Sequence, residues 1–369
     1  MVELSSAPPP LRRTLQTVQV MRGVAALAVV AYHTHLILAQ PEYGGREIFA
    51  DWAAKGWVGV NFFFVLSGFI ILSAHRADIG VPRAVPRYVW RRFVRLFPLY
   101  WIGLTAYVVA AWIGLGAPDF GWSWTNLAAA YLLIETGPGQ TLPLKVAWTL
   151  LYELRFYIAF IALLLSPRIG LALMGAWLVG IAVSATLLPG LGGSALSLWN
   201  IYFFFGMGAC LLLPRIPDIL AWPVLLAAVL VLILALAPIH FSIGEGEKSA
   251  PLLLALALGF TLLLVGAVAL ERSTHFSMPW PLMLIGDASY SIYLVHSATL
   301  SVLALLAHRV THDALPGPLL FALAFGLSSL AGIVVHVLIE RPLLQALRHR
   351  SPVRPAATTA SGDPRRHEA

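Results

Sequence analysis

The chain has 369 residues, of which 59% are hydrophobic and only 11% are charged, and its formal net charge is +7. A soluble globular domain carries about 25% charged residues, so this composition excludes an ordinary soluble fold. In a membrane protein a basic excess reflects Lys and Arg in cytoplasmic segments, and it does not indicate a nucleic-acid partner. The single cysteine, Cys210, excludes an intramolecular disulfide, and the Cys and His spacing predicts no metal site.

Ten apolar segments approach or exceed the length of about 20 residues that a helix needs to cross a bilayer. They lie at 18–40, 57–74, 96–116, 146–166, 170–188, 198–213, 220–238, 251–270, 285–307 and 317–339. A shorter apolar segment at 123–137 is interpreted as an interfacial or re-entrant element. The sequence therefore predicts an all-α membrane protein, a polytopic bundle of about ten transmembrane helices.

The placement of Lys and Arg predicts the orientation of this bundle. With ten spans and a cytoplasmic N-terminus, 17 of the 24 basic residues fall in inner segments and 5 in outer ones. This asymmetry predicts that both termini are cytoplasmic. Residues 1–17 then form a cytoplasmic N-terminal segment and 18–343 the transmembrane domain. Residues 344–369 are predicted to form a disordered cytoplasmic tail.

Charged residues inside apolar segments are functional candidates, because a charge at mid-bilayer is costly. On the first helix Arg22 and His33 share one stripe, about 16 Å apart along the axis. A snorkelling arginine and a packing histidine are the structural alternative. On the fourth helix Glu153 lies about 10 Å below the outer surface, a depth similar to that of His33. A purely structural role explains Glu153 poorly, because the sequence offers it no local partner.

Three other helices carry polar residues. The second contains Asn61 and Ser67 in an otherwise glycine-rich, aromatic segment, where plain helix packing is the alternative. The last helix ends with Glu340, which is interpreted as a charged helix stop at the interface. The ninth presents a polar stripe that consists of Ser289, Tyr293 and His296.

The segment between the second and third helices is rich in arginine and is predicted to be a cytoplasmic loop. It holds Arg83, Arg87, Arg91, Arg92 and Arg95. Guanidinium groups match phosphate geometry, so a multiply anionic ligand such as coenzyme A could bind there. The alternative is an orientation signal that also contacts anionic lipids.

In chain order these segments resemble the acyltransferase 3 family of integral membrane O-acyltransferases, in a branch similar to exopolysaccharide acetyltransferases. Arg22 and His33 fit its signature of Arg and His separated by ten residues. One departure is Asn61, where many members have Asp. The segments that carry the resemblance are 22–33, 59–68, 91–100, 148–157, 286–296 and 340–342.

The resemblance implies ten core helices in a bacterial inner (plasma) membrane, with membrane lipids as neighbours. It implies transfer of an acyl group, often acetyl, to a hydroxyl of a cell-surface, exopolysaccharide or lipid-linked carbohydrate. The donor would be acyl-CoA, often acetyl-CoA, which acts as a substrate, and no permanently bound cofactor is implied.

Under this resemblance we assign His33 and Glu153 to catalysis. A neutral histidine, with an unperturbed pKa of about 6.5, suits removal of the proton of a sugar hydroxyl. Glu153 would orient the imidazole, as the carboxylate does in a Ser-His-Asp triad. A Glu153 base and a covalent acyl-histidine remain alternatives. Donor binding is assigned to Arg22, Arg87, Arg91, Arg92 and Arg95. Substrate binding is assigned to Asn61, Trp148, Tyr152, Ser289, Tyr293 and His296.

The competing class is a transporter or flippase for a lipid-linked glycan or a small solute, with His33 and Glu153 as a proton relay. The sequence shows no inverted repeat, and a carrier has no need of the arginine-rich segment. Both observations favour the enzyme.

Overall fold

The computed structural model describes residues 15–112, 120–137, 142–237, 249–274 and 276–348, and this part of the chain consists of helices joined by turns and loops, without β-strands. A five-residue π-helix, His336–Glu340, joins the last two α-helices. The α-helices are α1 (Gln16–Leu38), α2 (Ala50–Ala53), α3 (Val58–His75), α4 (Val85–Trp112), α5 (Trp124–Leu132), α6 (Trp148–Leu165), α7 (Pro167–Thr186), α8 (Ile201–Leu212), α9 (Ala221–Leu236), α10 (Ala250–Thr274), α11 (Trp280–Asp287), α12 (Ser289–Thr311), α13 (Gly317–Val335) and α14 (Arg341–Arg348).

Within the described ranges, ten helical segments have the length and apolar composition needed to cross a membrane. Each overlaps one of the ten predicted segments, so the predicted fold class is confirmed, while the cytoplasmic position of both termini stays a prediction. The segment at 123–137 contains α5, a helix of nine residues that is too short to span a bilayer. The C-terminal helix includes residues 344–348, and the rest of the predicted tail lies outside the described residues, as do residues 1–14.

The arginine-rich segment is helical, which corrects the prediction of a loop. Helix α4 starts at Val85 and not near residue 96, so the arginines from Arg87 to Arg95 lie on its first three turns. Apolar and aromatic residues alternate with these arginines at helical spacing, which favours an amphipathic extension of the span. Hydropathy alone ends the span at the first charged residue and therefore misses this extension.

Helix α3 lies close to α8 and α1 because glycines remove the side chains between them. A Cβ atom added to Gly206 would lie 1.9 Å from a backbone carbonyl oxygen of α3, and one added to Gly68 would lie 2.0 Å from a carbonyl oxygen of α8. A Cβ atom at Gly59 would lie 2.4 Å from a carbonyl oxygen of α1. Small residues at such contacts are typical of helix packing in lipid.

Helix α1 is central, since it packs against α3, α10, α11, α12 and α13. Its first turn is capped by a carboxylate from α10: Glu271 accepts hydrogen bonds from the backbone N–H groups of Gln16 and Thr17 at 2.8 and 2.9 Å. A carboxylate at a helix N-terminus satisfies free N–H groups and complements the helix dipole. The cap fixes the position of α1 along its axis.

Candidate active site

A cavity of about 610 Å³ lies between α1, α3, α4, α6 and α12. This volume is within the range of about 300–1,000 Å³ that small-molecule sites occupy. Four arginines and one carboxylate are the charged residues of its lining, so its electrostatic character is basic. They are Arg22, Arg91, Arg92, Arg95 and Glu153.

Four of the five predicted donor-binding arginines thus line one cavity. Aromatic rings hold two of them in place: the guanidinium carbon of Arg95 is 5.1 Å from the ring centroid of Tyr290, and that of Arg92 is 5.6 Å from that of Tyr157. Arg87 is not among the lining residues; it forms a 2.9 Å ion pair with Asp78 outside the cavity.

Glu153 has two local partners, which the sequence did not reveal. It accepts a hydrogen bond from the hydroxyl of Tyr157, one turn further along α6. It accepts a second from Ser67 of α3 at 3.2 Å. The carboxylate is therefore oriented on the cavity wall by two hydroxyl groups.

The imidazole of His33 is paired with a second histidine. Its Nδ1 atom lies 3.1 Å from Nε2 of His296 and 3.0 Å from the carbonyl oxygen of Val29. His33 is therefore in contact with His296 and not hydrogen-bonded to Glu153, because α12 packs closely against α1. This corrects the predicted His33–Glu153 contact and gives His296, predicted to bind substrate, a different neighbour.

Tyr293 connects this histidine pair to the cavity. It lines the cavity, and its ring centroid is 5.8 Å from that of His296. Its hydroxyl forms a 2.8 Å hydrogen bond with that of Thr149, which lies one turn before Glu153 on α6. Tyr293 therefore contacts both the helix of Glu153 and the side chain that is paired with His33.

The sequence interpretation missed Glu340. This residue is only 1% exposed. It accepts hydrogen bonds from Arg95 at 2.8 Å and from Ser291 and His336 at 2.7 Å each. Glu340 is therefore a buried carboxylate with three partners and not a charged helix stop at the interface. It ends the π-helix, a rare element that is frequent at functional sites. The signal available in the sequence was the presence of Ser291 and His336 inside apolar segments.

The remaining predicted substrate-binding residues lie in three places. Ser289 lines the cavity, and its buried hydroxyl has no hydrogen-bond partner in the described part of the chain. Trp148 and Tyr152 do not line the cavity. The ring of Trp148 makes edge contacts with those of Tyr152 and Trp199, at centroid distances of 5.6 and 5.3 Å. Asn61 is fully buried beside Tyr202 and also lies outside the lining.

The helical membrane fold and a cavity that combines arginines, a carboxylate and a nearby histidine pair are those of a membrane-embedded enzyme. The chain belongs to the acyltransferase 3 family, whose acyltransferase domain matches residues 15–338. It is a membrane O-acyltransferase, and the resemblance drawn from the sequence is confirmed.

Several curated proteins are similar to the chain over different lengths. It is 28% identical to the exopolysaccharide production protein ExoZ of Rhizobium meliloti (strain 1021), across 80% of this chain and 92% of ExoZ. It is 26% identical to the acyltransferase MdmB of Streptomyces mycarofaciens, across 96% of this chain and 98% of MdmB. The peptidoglycan O-acetyltransferase OatA of Listeria monocytogenes is 26% identical across 42% of this chain and 25% of OatA. No solved structure gives a significant match.

Proposed function

We propose that this protein transfers an acyl group, acetyl in the first instance, from acyl-CoA to a hydroxyl of a cell-surface, exopolysaccharide or lipid-linked carbohydrate. The reaction would take place in a bacterial inner membrane. The observation that carries the proposal is one cavity in which four arginines face a carboxylate, next to a histidine pair. A carrier of neutral glycans would have little use for four guanidinium groups.

The arginines support a donor that carries several phosphates. Arg91, Arg92 and Arg95 come from adjacent turns of α4, and Arg22 comes from α1. Guanidinium groups form charge-assisted, bidentate hydrogen bonds with phosphate oxygens. Arg22 and His33 lie about 16 Å apart along α1, so a donor with its phosphates near Arg22 needs an extended arm to bring its thioester to the histidine. The pantetheine arm of coenzyme A is of this kind.

The relatives support a carbohydrate acceptor. ExoZ is named for exopolysaccharide production and OatA for peptidoglycan O-acetylation. In this chain the aromatic group of Trp148, Tyr152 and Trp199 offers ring faces on which a sugar can stack, and Trp148 is 37% exposed. Phe64 lines the cavity and stacks with Tyr152 at 5.7 Å, so this group adjoins the cavity wall.

The proposed reaction is a direct transfer. The acceptor hydroxyl oxygen attacks the thioester carbonyl carbon while its proton passes to Nε2 of His33. The carbon–sulfur bond then breaks, and the coenzyme A thiolate takes the proton from the imidazolium. Glu153 bonds to Ser67 and Tyr157 and not to His33, so its negative charge would favour the imidazolium through space. The products are the carbohydrate ester and free coenzyme A.

The test is a transfer assay with purified protein in nanodiscs, [14C]acetyl-CoA and soluble exopolysaccharide or peptidoglycan fragments. We expect labelled ester on the glycan, released by mild base, together with one free thiol for each ester. The His33→Ala variant should produce neither. Glycan movement across a proteoliposome membrane without label transfer would support the transporter instead.

A further inference from the structure

His296 is the side-chain partner of His33, and neither imidazole is among the residues that line the cavity. The side chain of His296, which lies on α12, is completely buried. His33 keeps partial exposure whereas His296 has none, so His296 can act on a substrate only through its neighbour. The question is what it does to His33.

The contacts of His296 assign its own proton. Nδ1 lies 2.7 Å from the carbonyl oxygen of Tyr293 and 3.1 Å from that of Ile292. A carbonyl oxygen only accepts hydrogen bonds, so Nδ1 must carry the hydrogen. In a neutral imidazole the other nitrogen is then an acceptor, and Nε2 of His296 presents its lone pair to His33.

The same reasoning fixes the proton of His33. Its Nδ1 atom faces two acceptors, Nε2 of His296 at 3.1 Å and the carbonyl oxygen of Val29 at 3.0 Å. Nδ1 of His33 must therefore carry the hydrogen, which leaves Nε2 unprotonated. The reverse arrangement, with Nε2–H of His296 donating to His33, would turn the lone pair of His33 Nδ1 toward the Val29 oxygen.

We propose that His296 is a positioning residue that holds His33 in the Nδ1–H tautomer, so that Nε2 of His33 is the basic nitrogen. This inference rests on the proposed function, because it assigns the state of the base in that reaction. In a Ser-His-Asp triad a carboxylate sets the tautomer of the catalytic histidine. Here a neutral imidazole does so without a second buried charge.

Neighbouring helices hold His296 in its place. Ser328 of α13 donates a hydrogen bond to the His296 carbonyl oxygen at 3.2 Å. One turn earlier on α12, the backbone of Ile292 lies 2.4 Å from the position that a Cβ atom of Gly332 would take, so α13 packs tightly behind this part of α12. The acceptor nitrogen thus belongs to a rigid helix pair.

The test compares substitutions of His296 in the transfer assay. His296→Leu keeps the volume but removes the acceptor, and it should lower kcat by about 10–100-fold, the cost typical of a lost orienting partner. The donor KM should stay unchanged, since His296 does not line the cavity. His296→Gln, whose side-chain oxygen can accept from Nδ1–H of His33, should recover part of kcat.

His308→Leu is the matched control. It replaces another histidine of α12, which pairs with Asp313 at the end of the helix, and it should leave kcat and KM unchanged. Loss of activity in His33→Ala with full kcat in His296→Leu would overturn the role of His296 and leave the proposed function intact. Absence of transfer by the wild-type protein would instead overturn the proposed function.

A spectroscopic measurement decides the tautomer without any substitution of His296. In wild-type protein with 15N-labelled histidine, the His33 signals, identified by their loss in His33→Ala, should show a protonated Nδ1 and an unprotonated Nε2. The opposite pattern in the wild-type protein would contradict the proposal.

Discussion

Arg95 and Glu340 are 245 residues apart in the chain and form a 2.8 Å ion pair that joins α4 to the end of the π-helix. Glu340 is also held by Ser291 and His336, so its position is fixed from two further helical turns. The pair therefore sets the orientation of one arginine of the cavity wall, and it connects that wall to the C-terminal part of the bundle.

Replacing Glu340 by Ala should destabilise the protein. Breaking a buried ion pair costs about 3–5 kcal/mol, and we expect the lower end, because the Arg95 side chain keeps 29% exposure. Thermal unfolding in detergent measures the loss. Arg341→Ala, at the adjacent exposed position, should leave the melting temperature nearly unchanged. Equal effects of the two substitutions would argue against the structural importance of the pair.

Replacing Arg91 and Arg92 together by Gln should raise the donor KM at least tenfold. Each charge-assisted hydrogen bond contributes about 1.5–3 kcal/mol. Steady-state kinetics with acetyl-CoA as the varied substrate provide the measurement. Arg87→Gln is the control on the same helix: its ion pair with Asp78 lies outside the cavity, so the donor KM should not change. A normal donor KM in the double variant would mean that these arginines serve only as a signal for membrane orientation.

His33→Ala should lower kcat by about 10²–10⁴, the range for a lost general base. Glu153→Gln should cost a comparable factor, and the double variant little more than the worse single one, because groups that act in one step are not additive. His35→Ala should keep kcat per folded molecule but lower the melting temperature, since its buried ring contacts the carbonyl oxygen of Ile48. Additive losses would show that His33 and Glu153 do not act together.

Gly206→Ala should destabilise the α3–α8 contact. The new methyl group would meet a backbone carbonyl at 1.9 Å, and overpacking usually costs about 1–3 kcal/mol. Gly208→Ala is a control on the same helix, because a Cβ atom there meets no atom within 4 Å. Melting temperatures of the two variants should differ clearly. Similar values would mean that α3 and α8 are not tightly packed in the membrane.

Reporter fusions test the predicted orientation. Fusions at residues 80 and 360 should report a cytoplasmic location and a fusion near 245 a periplasmic one, because most Lys and Arg residues lie in segments assigned to the cytoplasm. Any reversal among the three would contradict an even number of spans with both termini inside.

The number and place of the spans follow from the sequence because bilayer thickness imposes one length and one composition on every spanning helix. The start of α4 does not follow from the sequence in the same way, because an amphipathic turn at the interface has no hydropathy signal. Likewise the sequence was enough to estimate how deep His33 and Glu153 lie in the membrane. It did not reveal that His33 faces α12. Depth depends on position along one helix, whereas the facing partner depends on how several helices pack.

Glu340 shows a further limit of the sequence. In a regular α-helix the 3.6-residue period predicts which residues lie on the same face. The π-helix from His336 to Glu340 changes that period locally, so the direction of Glu340 does not follow from the helix before it. A periodicity argument therefore assigns the wrong surroundings to this carboxylate.

The cap on α1 has a consequence for which sequence changes the site tolerates. Because Glu271 holds the start of the helix, any residue added between Arg22 and His33 must be absorbed downstream. One inserted residue would move His33 by only about 1.5 Å along the axis but would rotate it by about 100° away from His296. Between Arg22 and His33 the site therefore tolerates substitution of lipid-facing residues far better than insertion or deletion of a residue.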